Sequence, residues 1–343
     1  MYLQQAQTSY HKRQGSKTMS PRIYVVGAIN ASMEEQLIAD YSVIYETALD
    51  DPMQWLDEHG ATISYVLTNG LDGISNDRLD KMPNLKLISN NGVGYDAIDV
   101  LRMAKRHVIV THTPDVLNEE VATTAMLLMI SCYRDFLSNE HYARSGEWEK
   151  MGHPPLSQTA DNRTVGIVGL GRIGYAIARK LSALNARILY HNRNPRDVPF
   201  TYFADLKEMA READTLIVVT PGGQSTNALI NGEVLEALGP DGVFINVSRG
   251  SVVDEDALIH ALETKQIAKA GLDVFAREPH IPTRLKQLEN VVLLPHVGSA
   301  TIETRAAMGQ LTIDNIIQHH KTGHVITPVP ETRDIATIAV DNH

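Results

Sequence analysis

Apolar residues along this chain fall into short β-branched runs separated by longer stretches in which they recur at helical spacing, and the two patterns alternate almost from end to end. That alternation is the signature of parallel sheets covered by helices on both faces. RIYVVG, SVIY, SYVLT, LKLIS and HVIVT predict five strands before residue 112, and TVGIVG, ARILY, TLIVV, VFINV, AKAGLDV and VVLLP predict six after residue 163. Between the sets, Asn118 to about Phe136 reads as one long helix, with Asn118 as its N-cap and acids in the first turn. A second amphipathic run, SATIETRAAMGQLTIDNIIQHH, follows the last strand and ends near Gly323.

This order predicts an α/β protein with two doubly wound parallel-sheet domains, the second inserted into the first, and a cleft between them. The expected division is 19–117 with 297–330 for the outer domain and 118–296 for the inserted one, with tails at 1–18 and 331–343. The first eighteen residues carry no acid and no apolar signal core, and Met19 is an alternative start.

Composition narrows the function classes. At 343 residues and 43% hydrophobic content the chain has room for about two cores. A formal charge of -10 argues against nucleic acid or an anionic membrane as partner, so any phosphate site must be a local basic pocket. No apolar stretch reaches the roughly 20 residues of a membrane span. The single cysteine, Cys132, permits no intrachain disulfide and fits a reducing, cytoplasmic setting, where it reads as a small core residue. The fourteen histidines show no metal-ligand spacing, with His319 and His320 neighbours that point apart on a helix, so no metal is expected.

Gly169, Gly171 and Gly174 stand in GxGxxG spacing directly after a strand and at the opening of a helix. The first glycine suits a tight turn, the second a close approach to a pyrophosphate and the third helix-against-strand packing, so Gly169 to Gly174, including Leu170, Arg172 and Ile173, is the expected dinucleotide loop. Three later stretches place unlike groups just past strands: Arg249 in NVSRGSVVDEDAL, Asp273 and Glu278 in GLDVFAREP, and His296 in LLPHVGSAT. Ligands of a doubly wound sheet bind at the strands' carboxyl ends, so these groups should converge. Hydride transfer to a ketone needs a proton donor, a cation for an anionic substrate and a group that keeps the donor charged; His296, Arg249 and Glu278 supply one each. The plainer readings are a pairing of Arg249 with Asp254 or Glu255, a turn role for Glu278, and a backbone hydrogen bond for His296.

Together these four stretches resemble the D-isomer-specific 2-hydroxyacid dehydrogenases, over about residues 20 to 330, which implies that the split arrangement is a Rossmann cofactor domain inserted into a flavodoxin-like substrate domain. The resemblance implies that Arg249 binds substrate, His296 is the acid/base, Glu278 is its partner and Asp273 orients the nicotinamide, with further cofactor contacts from Thr220, Val247, Ser248 and Gly298. It implies that SNNGVGYDAID holds the substrate carboxylate on the backbone N–H groups of Val93 and Gly94, where flanking glycines permit close approach, with Asn69 to Leu71 beside them. Thr123 departs from the acid common in the family, and Glu278 departs from the glutamine usual in related formate dehydrogenases. The stretches DVLNEEVA and LLPHVGSATIETR draw the resemblance toward glyoxylate/hydroxypyruvate and hydroxyphenylpyruvate reductases. A nicotinamide-nucleotide-binding corepressor and a short phosphoglycerate dehydrogenase are the alternatives. A homodimer is implied too, supported by apolar residues from Leu127 to Phe136, while the loop 147–156, with Trp148, Met151 and Leu156, selects substrate or packs a dimer.

The stretch YHNRNPR carries the cofactor preference. Where a carboxylate would hold the adenosine ribose and repel a 2'-phosphate, this chain has Asn192 and then Arg193, with Asn194 and Arg196 as further contacts. The expected cofactor is NADPH over NADH.

Overall fold

The computed structural model describes residues 20–338, so the expected tail at 1–18, the alternative start Met19 and residues 339–343 lie outside the described residues. The chain divides into two compact units, one running to His112 and resuming at Gly309, the other Thr113–Met308. The divisions thus fall near 112 and 308, where the apolar pattern suggested 117 and 296.

In the first unit β1 (Arg22–Val25), β2 (Ser42–Tyr45), β3 (Ile63–Asn69), β4 (Leu87–Asn91) and β5 (Ile109–Thr111) form one sheet in the order β2-β1-β3-β4-β5. Every pairing is parallel. Alternate residues of β1 face opposite ways, yet Ile23, Tyr24 and Val25 are all buried because both faces are covered. Tyr24 joins Val66, Ile88 and Val110 on one side. Ile23 and Val25 join Tyr65, Leu67, Ile313 and Ile316 on the other, where the helix Ile302–Thr322 packs. Each such buried aliphatic side chain contributes about 1.5–3 kcal/mol by leaving water. His319 and His320, on that helix, both meet the Tyr65 ring edge to face, so they share an aromatic neighbour instead of pointing apart. Burial drives His319 down to about 4. The expected tail from 331 begins as part of this unit: buried Thr332 accepts from Val110 N at 3.1 Å and donates to Val110 O at 3.2 Å.

In the second unit β6 (Thr164–Val168), β7 (Arg187–His191), β8 (Thr201–Phe203), β9 (Thr215–Val218), β10 (Val243–Asn246), β11 (Lys269–Leu272) and β12 (Val291–Leu293) form an all-parallel sheet in the order β12-β11-β10-β9-β6-β7-β8. The chain winds outward from β6 through β7 to β8 and then restarts on the other side at β9, so the topological switch lies between β6 and β9. The two α/β sheets are those expected, with one strand more. The edge strand β8 has only three residues, too few for an alternation to be read from sequence.

The long helix also differs in detail. It spans Asn118–Tyr133 and its N-cap is Leu117, while the Asn118 amide turns back to donate to Asp115. Glu119 and Glu120 do occupy the first turn. The helix stops before Phe136 because Asp135 takes a left-handed φ of 46°, held there by an ion pair with Lys269 at 2.5 Å. Lys269 also donates to the Cys132 carbonyl, satisfying an end the helix leaves open. Cys132 itself is buried, and that burial pushes its thiol up to about 12, which makes it an inert core residue. Among the described residues, no helix is long and apolar enough to cross a membrane.

Candidate active site

The residues expected to hold a dinucleotide gather at the carboxyl ends of β6, β7 and β9. Gly169 takes a φ of +99°, and a Cβ there would lie 2.8–3.0 Å from Thr220, the residue two past β9. The glycine turn is therefore pressed against the far side of the topological switch. A Cβ on Gly174 would meet the Gly169 carbonyl at 2.4 Å, whereas one on Gly171 would meet nothing within 4 Å. Two glycines are thus required by the protein's own packing, and the open space beside Gly171 suits an approaching ligand. The hydroxyl of Thr220 is buried without a partner beside this turn. An orphaned donor, an open glycine and the free N–H groups of the helix Arg172–Leu181 together fit a diphosphate. Arg172 is exposed and pairs with exposed Asp115 at 3.1 Å, a contact weak enough to be exchanged for a phosphate.

After β7 the side chains divide the work differently from the expectation. The Asn192 carbonyl oxygen accepts from Leu170 N at 2.7 Å, so the amide braces the glycine loop itself. Arg196 is likewise turned inward, its guanidinium on the Leu170 carbonyl and its backbone N–H on the Tyr190 hydroxyl at 2.8 Å. Arg193 is exposed, with no hydrogen bond or ion pair among the described residues.

The groups with chemistry stand at the ends of β10, β11 and β12. Asn246 closes β10 and organises the turn beyond it: its oxygen accepts from Ser248 N at 3.0 Å and Ser248 Oγ at 2.9 Å, and its amide donates to the Arg249 carbonyl at 3.1 Å. Val247 N donates to Val218 O at 3.2 Å, which ties this turn to the end of β9. The two carboxylates that stand near Arg249 in the sequence each hold a backbone N–H group. Asp254 caps the next helix by accepting from Ala257 N at 3.0 Å, and Glu255 accepts from Ala276 N at 3.0 Å. A Cβ on Gly250 would lie 1.9 Å from the Phe275 carbonyl carbon, so only glycine lets the segment carrying Arg249 close on the segment leading to Glu278.

Glu278 Oε2 meets His296 Nδ1 at 2.6 Å, while its other oxygen accepts from Phe275 N at 3.0 Å. Burial alone would raise this carboxyl. The hydrogen bonds from His296 and Phe275 and the positive field of His296 and Arg249 outweigh burial and hold it below the ordinary glutamate value. It therefore stays ionised, and the imidazole Nδ1 carries the shared proton. His296 adopts a left-handed φ of 55°, a strained backbone for a residue with a side chain. What holds it is Asp273, which is 2% exposed: its carbonyl accepts from His296 N at 2.8 Å, and its two carboxylate oxygens accept from Val297 N at 2.7 Å and Gly298 N at 2.8 Å. Burial lifts the Asp273 carboxyl above its usual value, against those two N–H bonds. Asp273 and Gly298, expected as cofactor contacts, thus also form the support of the histidine.

Val93 and Gly94 lie in the first unit, just past β4. Sequence reasoning passed over the residues behind them. The Asn90 amide donates to the carbonyls of both Gly92 and Gly94 at 3.0 Å, and His112 Nδ1 meets the Val93 carbonyl at 3.2 Å. No periodic pattern marks either residue: Asn90 acts on the turn that follows it, and His112 acts from the end of the neighbouring strand. Among the described residues no cluster of three or more histidine, cysteine or acidic side chains is arranged to hold a metal.

Residues 126–298 match the family model described as the NAD binding domain of the D-isomer specific 2-hydroxyacid dehydrogenases. Over 302 residues the chain is 38% identical to a glyoxylate/hydroxypyruvate reductase A of Arabidopsis thaliana, covering 88% of this chain and 96% of that one. The chain belongs to the D-isomer specific 2-hydroxyacid dehydrogenases. It is also 41% identical over 269 residues to a hydroxyphenylpyruvate reductase of Plectranthus scutellarioides, covering 78% of this chain and 86% of that one. Among solved structures, the NADPH-dependent glyoxylate/hydroxypyruvate reductase of Sinorhizobium meliloti, in complex with NADP and malonate, superposes with a TM-score of 0.85 at 45% identity, covering 91% of this chain and 98% of that one. As a member of this family the protein is an oxidoreductase acting on CH–OH donors, and its second unit carries the family's NAD-binding domain.

The support of His296 can be tested directly. Asp273→Asn supplies one acceptor oxygen where two backbone N–H groups need one each, so the unfolding free energy should fall by about 1–3 kcal/mol with a loss of turnover. A urea midpoint and turnover both equal to wild type would show that Asp273 does not hold this loop.

Proposed function

We propose that this dehydrogenase reduces a small 2-oxo acid, of the glyoxylate, hydroxypyruvate or hydroxyphenylpyruvate type, to the D-2-hydroxy acid with NADPH. The observation that carries the reading is the 2.6 Å contact between Glu278 and His296, in which one imidazole nitrogen faces an ionised carboxylate while Nε2 has no partner among the described residues. The names borne by the Arabidopsis, Plectranthus and Sinorhizobium relatives support the substrate class.

Glu278 accepts from Nδ1 and fixes the ring, so Nε2 is the atom that passes a proton to the substrate's carbonyl oxygen as that oxygen gains negative charge. Arg249 binds the substrate carboxylate and draws electron density from the adjacent keto group, a pair of oxygens that suits a planar guanidinium. In the first unit, the N–H groups of Val93 and Gly94 are proposed to receive a substrate carboxylate. NADPH, when bound, supplies the hydride. Its diphosphate would lie on Gly169 to Gly174 with Thr220, while Val247, Ser248, Asp273 and Gly298 border the nicotinamide. Arg193, exposed and unpaired, is the proposed ligand of the 2'-phosphate, and Asn192 contributes by placing no carboxylate there and by bracing Leu170. Exposed Leu127, Phe136 and Leu137, with exposed Met151 and Leu156 further along, are the apolar surface proposed to join two copies as a homodimer.

A panel of 2-oxo acids compared by kcat/KM with NADPH tests the activity, and no turnover with any of them would sink it. His296→Ala should lower kcat by about 100-fold or more with NADPH binding nearly intact, while Glu278→Gln, which removes the carboxylate that accepts from Nδ1, should lower kcat with the NADPH KM nearly unchanged. An E278Q turnover equal to wild type would count against the pair. For the cofactor, Arg193→Ala should raise the KM for NADPH by about 10-fold and leave that for NADH nearly unchanged. Adding Asn192→Asp keeps the acceptor that Leu170 needs and supplies the missing negative charge, so preference should swing toward NADH; equal use of the two cofactors by wild type would refute this assignment. Sedimentation at micromolar concentration should give twice the chain mass of 37.9 kDa, and a single-chain mass would exclude the dimer.

A further inference from the structure

Three successive carbonyls in the segment after β4 are tied down. Asn90 Nδ2 holds those of Gly92 and Gly94, and His112 Nδ1 holds that of Val93, which requires the tautomer with its proton on Nδ1. In a planar trans peptide the C=O of one residue and the N–H of the next point opposite ways. Each N–H that follows a tied carbonyl is therefore turned away from the donor that ties it. Those N–H groups belong to Val93, Gly94 and Tyr95, and none has a hydrogen-bond partner among the described residues.

The clamp is rigid on both sides. Asn90 is fully buried at the end of β4, and its amide orientation is fixed by its neighbours, since a flip would set its oxygen against two carbonyl oxygens. Its own oxygen has no partner. An orphaned buried acceptor is costly, so the arrangement favours the clamp over the residue's own satisfaction. His112 follows β5, the strand beside β4, and Thr327 fixes its backbone from both directions, with His112 N donating to Thr327 O at 3.2 Å and Thr327 Oγ1 donating to His112 O at 2.6 Å. The Tyr95 ring packs edge to face on the His112 ring, centroids 5.5 Å apart, and its hydroxyl donates to Glu331 at 3.2 Å.

We propose that Asn90 and His112 are positioning residues that hold 92–95 as a preformed three-donor anion site, in which the N–H groups of Val93, Gly94 and Tyr95 together receive the carboxylate of the 2-oxo acid. The proposal deepens the reading of the protein as a 2-oxo acid reductase and rests on it for the ligand class. Tyr95 enters through its backbone alone, and its side chain serves to steady His112.

The test uses Asn90→Leu, which keeps the volume and removes the donor, His112→Phe, which keeps a ring against Tyr95, and His112→Asn, whose amide replaces the lost N–H. For each folded variant we would measure the KM for glyoxylate, the KM for NADPH, and the dissociation constant of oxalate from the NADP-loaded protein by calorimetry. Asn90→Leu and His112→Phe should each raise the glyoxylate KM and the oxalate constant by about 10-fold or more, while the NADPH KM stays within about twofold and His112→Asn recovers most of the loss. Unchanged oxalate binding in folded Asn90→Leu and His112→Phe overturns the proposal, as does an equal rise in the NADPH KM, which would mark a general loss of structure. Should wild type bind oxalate and lose it in both variants without reducing any 2-oxo acid, the anion site stands and the assigned reaction falls.

Discussion

Both oxygens of one buried carboxylate, Asp273, are bonded to the backbone of the loop that carries His296, and the rest of the chemical site is referred to that anchor. The histidine's left-handed backbone is unfavourable by itself and persists because three hydrogen bonds from residues 296–298 end on Asp273. With the main chain held this way, the imidazole meets Glu278, a residue only five positions beyond Asp273 on the same segment. Gly250 then draws the end of β10 onto that segment at a distance no side chain would allow. The segments that carry proton donor, carboxylate and cation are thereby set by backbone contacts among neighbouring strand ends.

The two proposed anion sites solve the same electrostatic problem in different ways. At the 2'-phosphate position the charge is carried by a free, exposed guanidinium, and the loop beneath it is braced by Asn192 and Arg196 on Leu170. A side chain of that kind adapts to its ligand but is screened by solvent. After β4 the attraction comes from backbone N–H groups whose direction is set before any ligand arrives, by Asn90 and His112 on the carbonyls behind them. Such a site carries no net charge, and its selectivity lies in geometry, which suits a small carboxylate more than a bulky phosphate.

The parallel-sheet architecture, the glycine loop, and Arg249, Glu278 and His296 at strand ends were legible in the sequence because each rests on local pattern. An apolar run states its own burial, and a glycine at a tight turn has no substitute there. The failures were of one kind. β8 escapes the apolar pattern because an edge strand of three residues, Thr201–Phe203, is too short to show an alternation. The helical pattern of the long helix runs on through Asp135 because the ion pair that bends the chain there comes from Lys269, on a strand far along the sequence. Asn118 has the composition of a cap, yet its amide found Asp115 first.

What the sequence by itself determined is therefore the order and type of elements and which chemical groups end up at the ends of strands, since periodicity and turn chemistry act over a few residues. What only the tertiary structure decided is the partner each polar side chain takes. Asn192 braces a loop at the position where the sequence suggested a cofactor contact, and His112 gained a purpose only when β4 and β5 were laid side by side. A hydrogen bond depends on a few tenths of an ångström and on direction, and those are set by the packing of distant segments, which no local pattern records.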